Sequence, residues 1–290
     1  MNTIVLIAKP GELASALVEA LQNAWGGGPV LWLSPNEAAE FEIGLVPGNF
    51  RDVWADLQAQ GVDLNAVDTQ ARKKSVLLAD MDSTIIEQEC IDELADEAGV
   101  GDAVRAVTAR AMNGELDFED ALIARVAQLK GRPTSIIDTV YTNRITFTPG
   151  AAELLATMKA RGGYAALVSG GFTSFTSKVS ATLGFDEHRA NTLLVAADTL
   201  TGDVTRPILG RDAKVAALNE ITDRLGLDPK DVLAVGDGAN DLGMLDHAGM
   251  GVALHAKPSV QKRCALRVNY GDLTALLYLQ GIARADFTKV

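Results

Sequence analysis

Apolar positions near the N-terminus come in short, frequently changing patterns. "TIVLIA" is compact and strand-like, and it runs into the turn-forming Lys9, Pro10 and Gly11. "GELASALVEALQNA" sets Leu13, Leu17, Ala20 and Leu21 on one helical face. "PVLWL" and "FEIGLV" predict a strand pair, "FRDVWADLQAQG" a helix stopped at Gly61, and "VDLNAVD" a last short strand. The order βαββαβ predicts a ferredoxin-like α+β domain over residues 1–72. Trp25, Trp32 and Trp54 all fall inside it and are expected to pack it, and the polar, basic "DTQARKKS" reads as a linker.

From Ser75 the pattern lengthens. "SVLLAD", "YAALVSG", "DVLAVGD" and "GMGVAL" are continuous apolar runs, as expected of strands covered on both faces. Helical stretches such as "AAELLATMKARG" and "RDAKVAALNEITDRLG" lie between the later ones. This alternation predicts an α/β fold with a doubly wound parallel sheet over residues 73–290. Residues from about 87 to 145 contain only helical patterns, too long for a simple crossover. They predict a helical-bundle cap inserted above the sheet. "AADTLTGDVTRPIL" reads as a hairpin.

Hydrophobic residues make up 48% of the 290-residue chain and charged ones 22%, which suits globular material. The net charge of −12 argues against a nucleic-acid partner, while leaving room for a small anion held by local positive charge. No run approaches the roughly 20 apolar residues that cross a bilayer. The first run also lacks the flanks of a signal peptide. Cys90 and Cys264 stand in no metal-ligand spacing and fit a reducing, cytoplasmic setting. His188, His247 and His255 form no cluster and are read as structural or surface residues.

Candidate chemistry sits at the strand ends, where doubly wound sheets bind ligands. Asp80 and Asp82 follow one run, Ser169, Gly170 and Gly171 another, and Asp237, Asn240 and Asp241 a third. Lys214 lies near the start of a helix. Each alone has a bland reading: an Asp-x-Asp turn, a tight glycine turn, a capped loop, a solvated lysine. An EF-hand starting at Asp80 fails, because its sixth and twelfth positions are Ile85 and Ile91. Together, however, several carboxylates in one cleft call for a hard cation such as Mg²⁺. Amides after Ser169 and the Lys214 ammonium suit a phosphate group. The combination describes phosphoryl transfer.

The segments "DMDSTIIEQE", "SGGF", Lys214 in "DAK" and "GDGANDLGML" resemble the four motifs of haloacid-dehalogenase-type phosphatases. "ADMDSTIIEQECIDELADEAG" and "AMNGELDFEDALIARV" resemble the branch that acts on phosphoserine. The resemblance covers about residues 75–280, with no departure inside the motifs. It implies Asp80 as nucleophile and Asp82 as acid/base. It also implies Mg²⁺ on the Asp80 and Asp237 side chains and the Asp82 carbonyl. Ser169, Gly170 and Lys214 would hold phosphate, with Asn240 and Asp241 in support. Glu89 and Arg125 would take the substrate's amino and carboxylate groups, chemistry that fits the two side chains. Met112 and Phe118 would line the apolar side, unless they are core of the helical bundle.

The expected function is hydrolysis of phosphoserine to serine through an aspartyl-phosphate, with the cap as a lid. The N-terminal unit, by resemblance in element order to ACT-type domains, would pair subunits as a homodimer and bind serine. Two alternatives stand beside this. One is a phosphatase or phosphotransferase for another small phosphate monoester; the other is a non-catalytic amino-acid sensor, which would need a broken catalytic set.

Overall fold

The structure, a computed structural model, describes residues 1–112 and 115–290. Its first six elements are β1 (Asn2–Ala8), α1 (Ser15–Trp25), β2 (Leu31–Ser34), β3 (Ala38–Ile43), α2 (Phe50–Gln58) and β4 (Val62–Asp68). They form the expected βαββαβ unit, an antiparallel sheet in the order β2-β3-β1-β4. Alternation along β1 divides its side chains between two cores. Ile4, Leu6 and Ala8 pack with Val18, Leu21 and Leu57 of the unit's own helices. Val5 and Ile7 join the core of the rest of the protein. After Thr3 the run "IVLIA" is therefore continuously apolar because both faces of the strand are covered.

The seam between this unit and the remainder is hydrogen-bonded as well as apolar. Asp63 Oδ1 accepts the N–H of Asn269 at 2.8 Å, and its Oδ2 accepts those of Tyr270 and Gly271 at 2.9 and 3.0 Å. The Asn65 amide exchanges two bonds of 2.9 Å with the Arg267 backbone, completing a strand edge with a side chain. The expected linker is stapled down: the Arg72 guanidinium grips Glu40 at 2.5 and 2.9 Å, and the Lys74 ammonium donates to the Lys230 carbonyl at 2.6 Å. Trp25 stacks on Phe50 inside the unit, whereas the Trp54 ring lies under Arg267 across the seam.

After the linker comes β5 (Val76–Ala79), then α3 (Cys90–Glu97), α4 (Gly101–Met112), α5 (Phe118–Ala127) and α6 (Ser135–Arg144), which make up the cap. The chain continues through α7 (Ala151–Ala160), β6 (Tyr164–Phe172), α8 (Thr173–Leu183), β7 (Glu187–Asn191), β8 (Leu193–Ala196) and β9 (Thr199–Val204). It ends with α9 (Arg211–Leu225), β10 (Val232–Gly236), β11 (Met250–Leu254), β12 (Leu266–Val268) and short C-terminal helices. The parallel sheet runs β12-β11-β10-β5-β6-β7. In β5, Leu77 and Ala79 face one core while Val76 and Leu78 face another. The chain leaves β5 for β6 on one side and later returns to β10 on the other, so β5 sits where a crevice opens beyond the strand ends.

Two strands, β7 and β12, have no apolar run to announce them; both are sheet edges. The hairpin begins at Leu193, earlier than the sequence pattern suggests, and it extends the cap. Its β9 is bridged to Pro133, and Leu200 exchanges backbone bonds with Gly131 and Arg132. Among the described residues no helix is long and apolar enough to cross a membrane.

Candidate active site

Asp80 is the first residue past β5, and its N–H still donates to the Val235 carbonyl at 3.0 Å, as if the strand continued. That bond fixes the backbone from which the carboxylate projects. Asp80 Oδ1 lies 2.7 Å from the Lys214 ammonium, which also contacts Asp241 Oδ1 at 2.6 Å. Lys214 and Asp241 are fully buried and Asp80 nearly so. Asp241 is held in turn by the Gly238 N–H at 2.9 Å. Gly236 makes room for it: a Cβ there would come within 2.4 Å of Asp241 Cγ. Burial alone would depress the lysine, but the two carboxylates hold its ammonium above the ordinary lysine range. Burial pushes the Asp80 carboxyl up, reinforced by Asp241 and opposed by Lys214.

Asp82 has its own set of hydrogen-bond partners. Its Oδ1 accepts the Cys90 N–H at 2.8 Å and its Oδ2 accepts the Ser169 hydroxyl at 3.0 Å. Ser169 Oγ also accepts the Gly171 N–H at 2.8 Å. A Cβ on Gly171 would sit 2.6 Å from Asp82 Oδ2, so the second glycine of the pair is needed for this approach. Burial, then the charge of Glu89, raises the Asp82 carboxyl, opposed by the hydrogen bonds from Cys90 and Ser169. The chain turns sharply just after it, with Ser83 in the left-handed region at φ 53°. The Ser83 hydroxyl then donates to Glu89 Oε1 at 2.8 Å, linking the turn to the start of the cap.

Oxygens of Asp80, Asp237 and Asp241 lie within 4.8 Å of one another. Burial and the charges of Asp241 and Glu89 push the Asp237 carboxyl up to about 7. Such crowded carboxylates supply the hard oxygen donors that a divalent cation takes, so the residues present fit a metal. The Asp82 carboxylate is outside this cluster, engaged by Cys90 and Ser169.

A cleft of about 200 Å³ collects much of the predicted site: Asp80, Asp82, Glu89, Phe118, Arg125, Gly170, Asp237 and Asn240 all line it. Ser169, Lys214 and Asp241 stand behind its wall, buried: Ser169 contacts Asp82, Lys214 contacts Asp80, and Asp241 contacts Lys214. Met112 closes α4, and its side chain lies outside the described residues. Phe118, Leu122 and Arg125 follow helical spacing on α5 and present one face to the cleft. The Arg125 Nε donates to the Ala121 carbonyl at 3.2 Å.

Sequence reasoning passed over Ile91, Leu122, Phe172 and Lys257 as lining residues. Leu122 was detectable from its place between Phe118 and Arg125 on one stripe. Lys257 was detectable too, since it follows β11 at the same edge of the sheet as the other strand-end groups. The three histidines bond to Thr176, Asn219 and the Gly271 carbonyl, away from the cleft.

A carboxylate pair at the switch point of a parallel sheet, backed by a buried lysine and roofed by a helical cap, defines a class. The chain belongs to the haloacid dehalogenase-like hydrolase family, which its residues 77–246 match. A phosphoserine phosphatase of Haemophilus influenzae is 43% identical over 220 residues, which span 75% of this chain and 70% of that protein. The crystal structure of a HAD family hydrolase from Salmonella enterica serovar Typhi is similar with a TM-score of 0.86 and 31% identity, covering 96% of this chain and 97% of that one. That of a probable phosphoserine phosphatase from Vibrio cholerae, unliganded, gives a TM-score of 0.79 and 32% identity, covering 98% and 88%.

Proposed function

We propose that the protein is a Mg²⁺-dependent phosphoserine phosphatase, releasing serine and phosphate in the last step of serine biosynthesis. The observation that carries this reading is one cleft lined by Asp80 and Asp82 on the sheet side and by Glu89 and Arg125 toward the cap. The first pair supplies phosphoryl chemistry, while the second matches an amino group and a carboxylate on one small substrate. The phosphoserine phosphatase of Haemophilus influenzae, similar over most of its length, supports the same reading.

In this mechanism Asp80 attacks phosphorus and Asp82 protonates the departing serine oxygen. Asp82 then takes a proton from the water that attacks the aspartyl-phosphate. Lys214 restrains the Asp80 carboxylate and balances charge as phosphate enters. Ser169 orients Asp82, and the Gly170–Gly171 segment leads into the N-terminus of α8, whose amides favour an anion. Asp80 and Asp237, with Asp241 beside them, would hold Mg²⁺. When bound, the cation supplies positive charge against the crowded carboxylates and the phosphate oxygens.

The N-terminal unit serves as an ACT-like regulatory and pairing domain. One face of its sheet is covered by the rest of the chain, which leaves the β2 edge, where Leu31 is exposed, for a second copy. The enzyme acts in the cytoplasm, in keeping with two buried, free cysteines. The test is phosphate release with Mg²⁺ across phosphorylated amino acids and sugars. Phosphoserine should give the highest kcat/KM; a sugar phosphate turned over far faster would replace this substrate with another monoester.

A further inference from the structure

Three cations stand in or behind the cleft, and they differ in what they have left to give. Lys214 is already neutralised by Asp80 and Asp241. Arg125 and Lys257 line the cleft, and among the described residues neither is held in an ion pair. A phosphate monoester brings up to two further negative charges to a wall that carries Asp80, Asp82, Glu89 and Asp237. Beyond Lys214 and the Mg²⁺ of the proposed function, Arg125 is, among the described residues, the one motif cation left free as a counterweight to that total.

Lys257 is placed to add to it. Its backbone N–H faces the Asp237 carbonyl at 3.4 Å, so it stands beside the loop that bears a cluster carboxylate. Its ammonium acts on Asp237 as an opposing positive charge. With Phe118, Arg125 and Asn240 it also borders a neighbouring cavity of about 450 Å³, so it stands on the wall between the cleft and its vestibule.

Its backbone is held from both sides. The Lys257 carbonyl accepts the N–H groups of Val260 and Gln261 at 2.9 and 3.0 Å, opening a helical turn. Two residues upstream, His255 sits in the left-handed region at φ 44°. Its N–H donates to the Val268 carbonyl, and its Nε2 lies 2.8 Å from the Gly271 carbonyl. The Gly271 N–H is bound by Asp63 of the N-terminal unit. A flexible, exposed side chain thus rises from a fixed point at the cleft mouth.

We infer that Lys257 is a further substrate-binding residue, closing its ammonium onto an anionic group of the bound monoester, either the phosphate or the carboxylate. The inference rests on the phosphatase reading above and adds to it a contact beyond the motif residues. Lys257→Met and Lys257→Arg, made in the full chain with Mg²⁺, separate the possibilities. Lys257→Met should raise KM for phosphoserine about tenfold, or about 1.4 kcal/mol, with kcat little changed, while Lys257→Arg keeps most of the affinity. Weaker inhibition by inorganic phosphate, and an equal KM rise for p-nitrophenyl phosphate, would assign the contact to phosphate. An effect confined to phosphoserine would assign it to the carboxylate. Constants within about twofold of the parent, or a kcat loss at unchanged KM, would overturn the inference. If the parent prefers another monoester yet Lys257→Met still weakens phosphate inhibition, the substrate assignment falls and this residue's role stands. Thermal unfolding of both variants should match the parent, because the side chain is exposed.

Discussion

The two walls of the cleft are built on opposite terms. On the sheet side Asp80, Lys214 and Asp241 are buried and mutually neutralising, with Asp80 anchored to the Val235 strand backbone and Asp241 to the Gly238 N–H. On the cap side Glu89 is exposed, and Phe118 and Arg125 are half-buried on or beside short helices, with few partners. Under the proposed function the first wall is generic, suited to any phosphate monoester, because its ion pairs and hydrogen bonds are complete without the rest of the substrate. The second has unspent hydrogen-bonding capacity, which is what recognition of a particular substrate needs. If the two walls divide the proposed function in this way, chemistry and selectivity should be separable by mutation.

Removing the centre of the sheet-side wall should do the most damage. Lys214→Met leaves two buried carboxylates without their cation, and it should cost about 3–5 kcal/mol in denaturant unfolding and abolish turnover. A stable, active variant would mean that the sheet-side cluster is not the ionic unit described. Arg125→Ala should leave stability nearly untouched and raise KM for phosphoserine about 10- to 100-fold, with p-nitrophenyl phosphate changing far less. Equal losses on both substrates would erase the distinction between the walls.

A smaller effect links metal to pH. With its carboxyl at about 7, Asp237 holds its proton more tightly in the folded than in the unfolded chain. From about pH 4 to 7 the unfolded state thus sheds this proton first, and the metal-free protein loses stability as pH rises. A divalent cation removes the penalty, so the rise in Tm on adding Mg²⁺ should be larger near pH 8 than near pH 5.5. An equal rise at both would detach Asp237 from the metal site.

The same contrast explains what could be read from sequence. Asp80, Asp82 and Asp237 were legible because they follow apolar strand runs, Asp80 and Asp82 at short spacing, whereas Lys214, near the start of a helix, stood out only in combination with them and through the resemblance. Glu89 and Arg125 sit on amphipathic helices, where a charged side chain has no unique destination, and only the resemblance singled them out. Lys257 went unnoticed because its signal is positional, a lysine after β11 with no motif around it. The edge strands β7 and β12 escaped because each pairs along one side and carries polar residues such as Arg189 and Arg267. The closeness of the N-terminal unit was equally hidden: Asp63 and Asn65 read as polar positions of a short strand, yet both are fully buried against residues some 200 positions away.

The central claim is that Asp80 carries the phosphoryl group. Acid-quenching the enzyme during turnover of phosphoserine labelled in its phosphate should trap hydroxylamine-sensitive label on the peptide containing Asp80, and Asp80→Asn should lose both label and activity. Product formation at full rate with no protein-bound label, or label on another residue, would contradict the account.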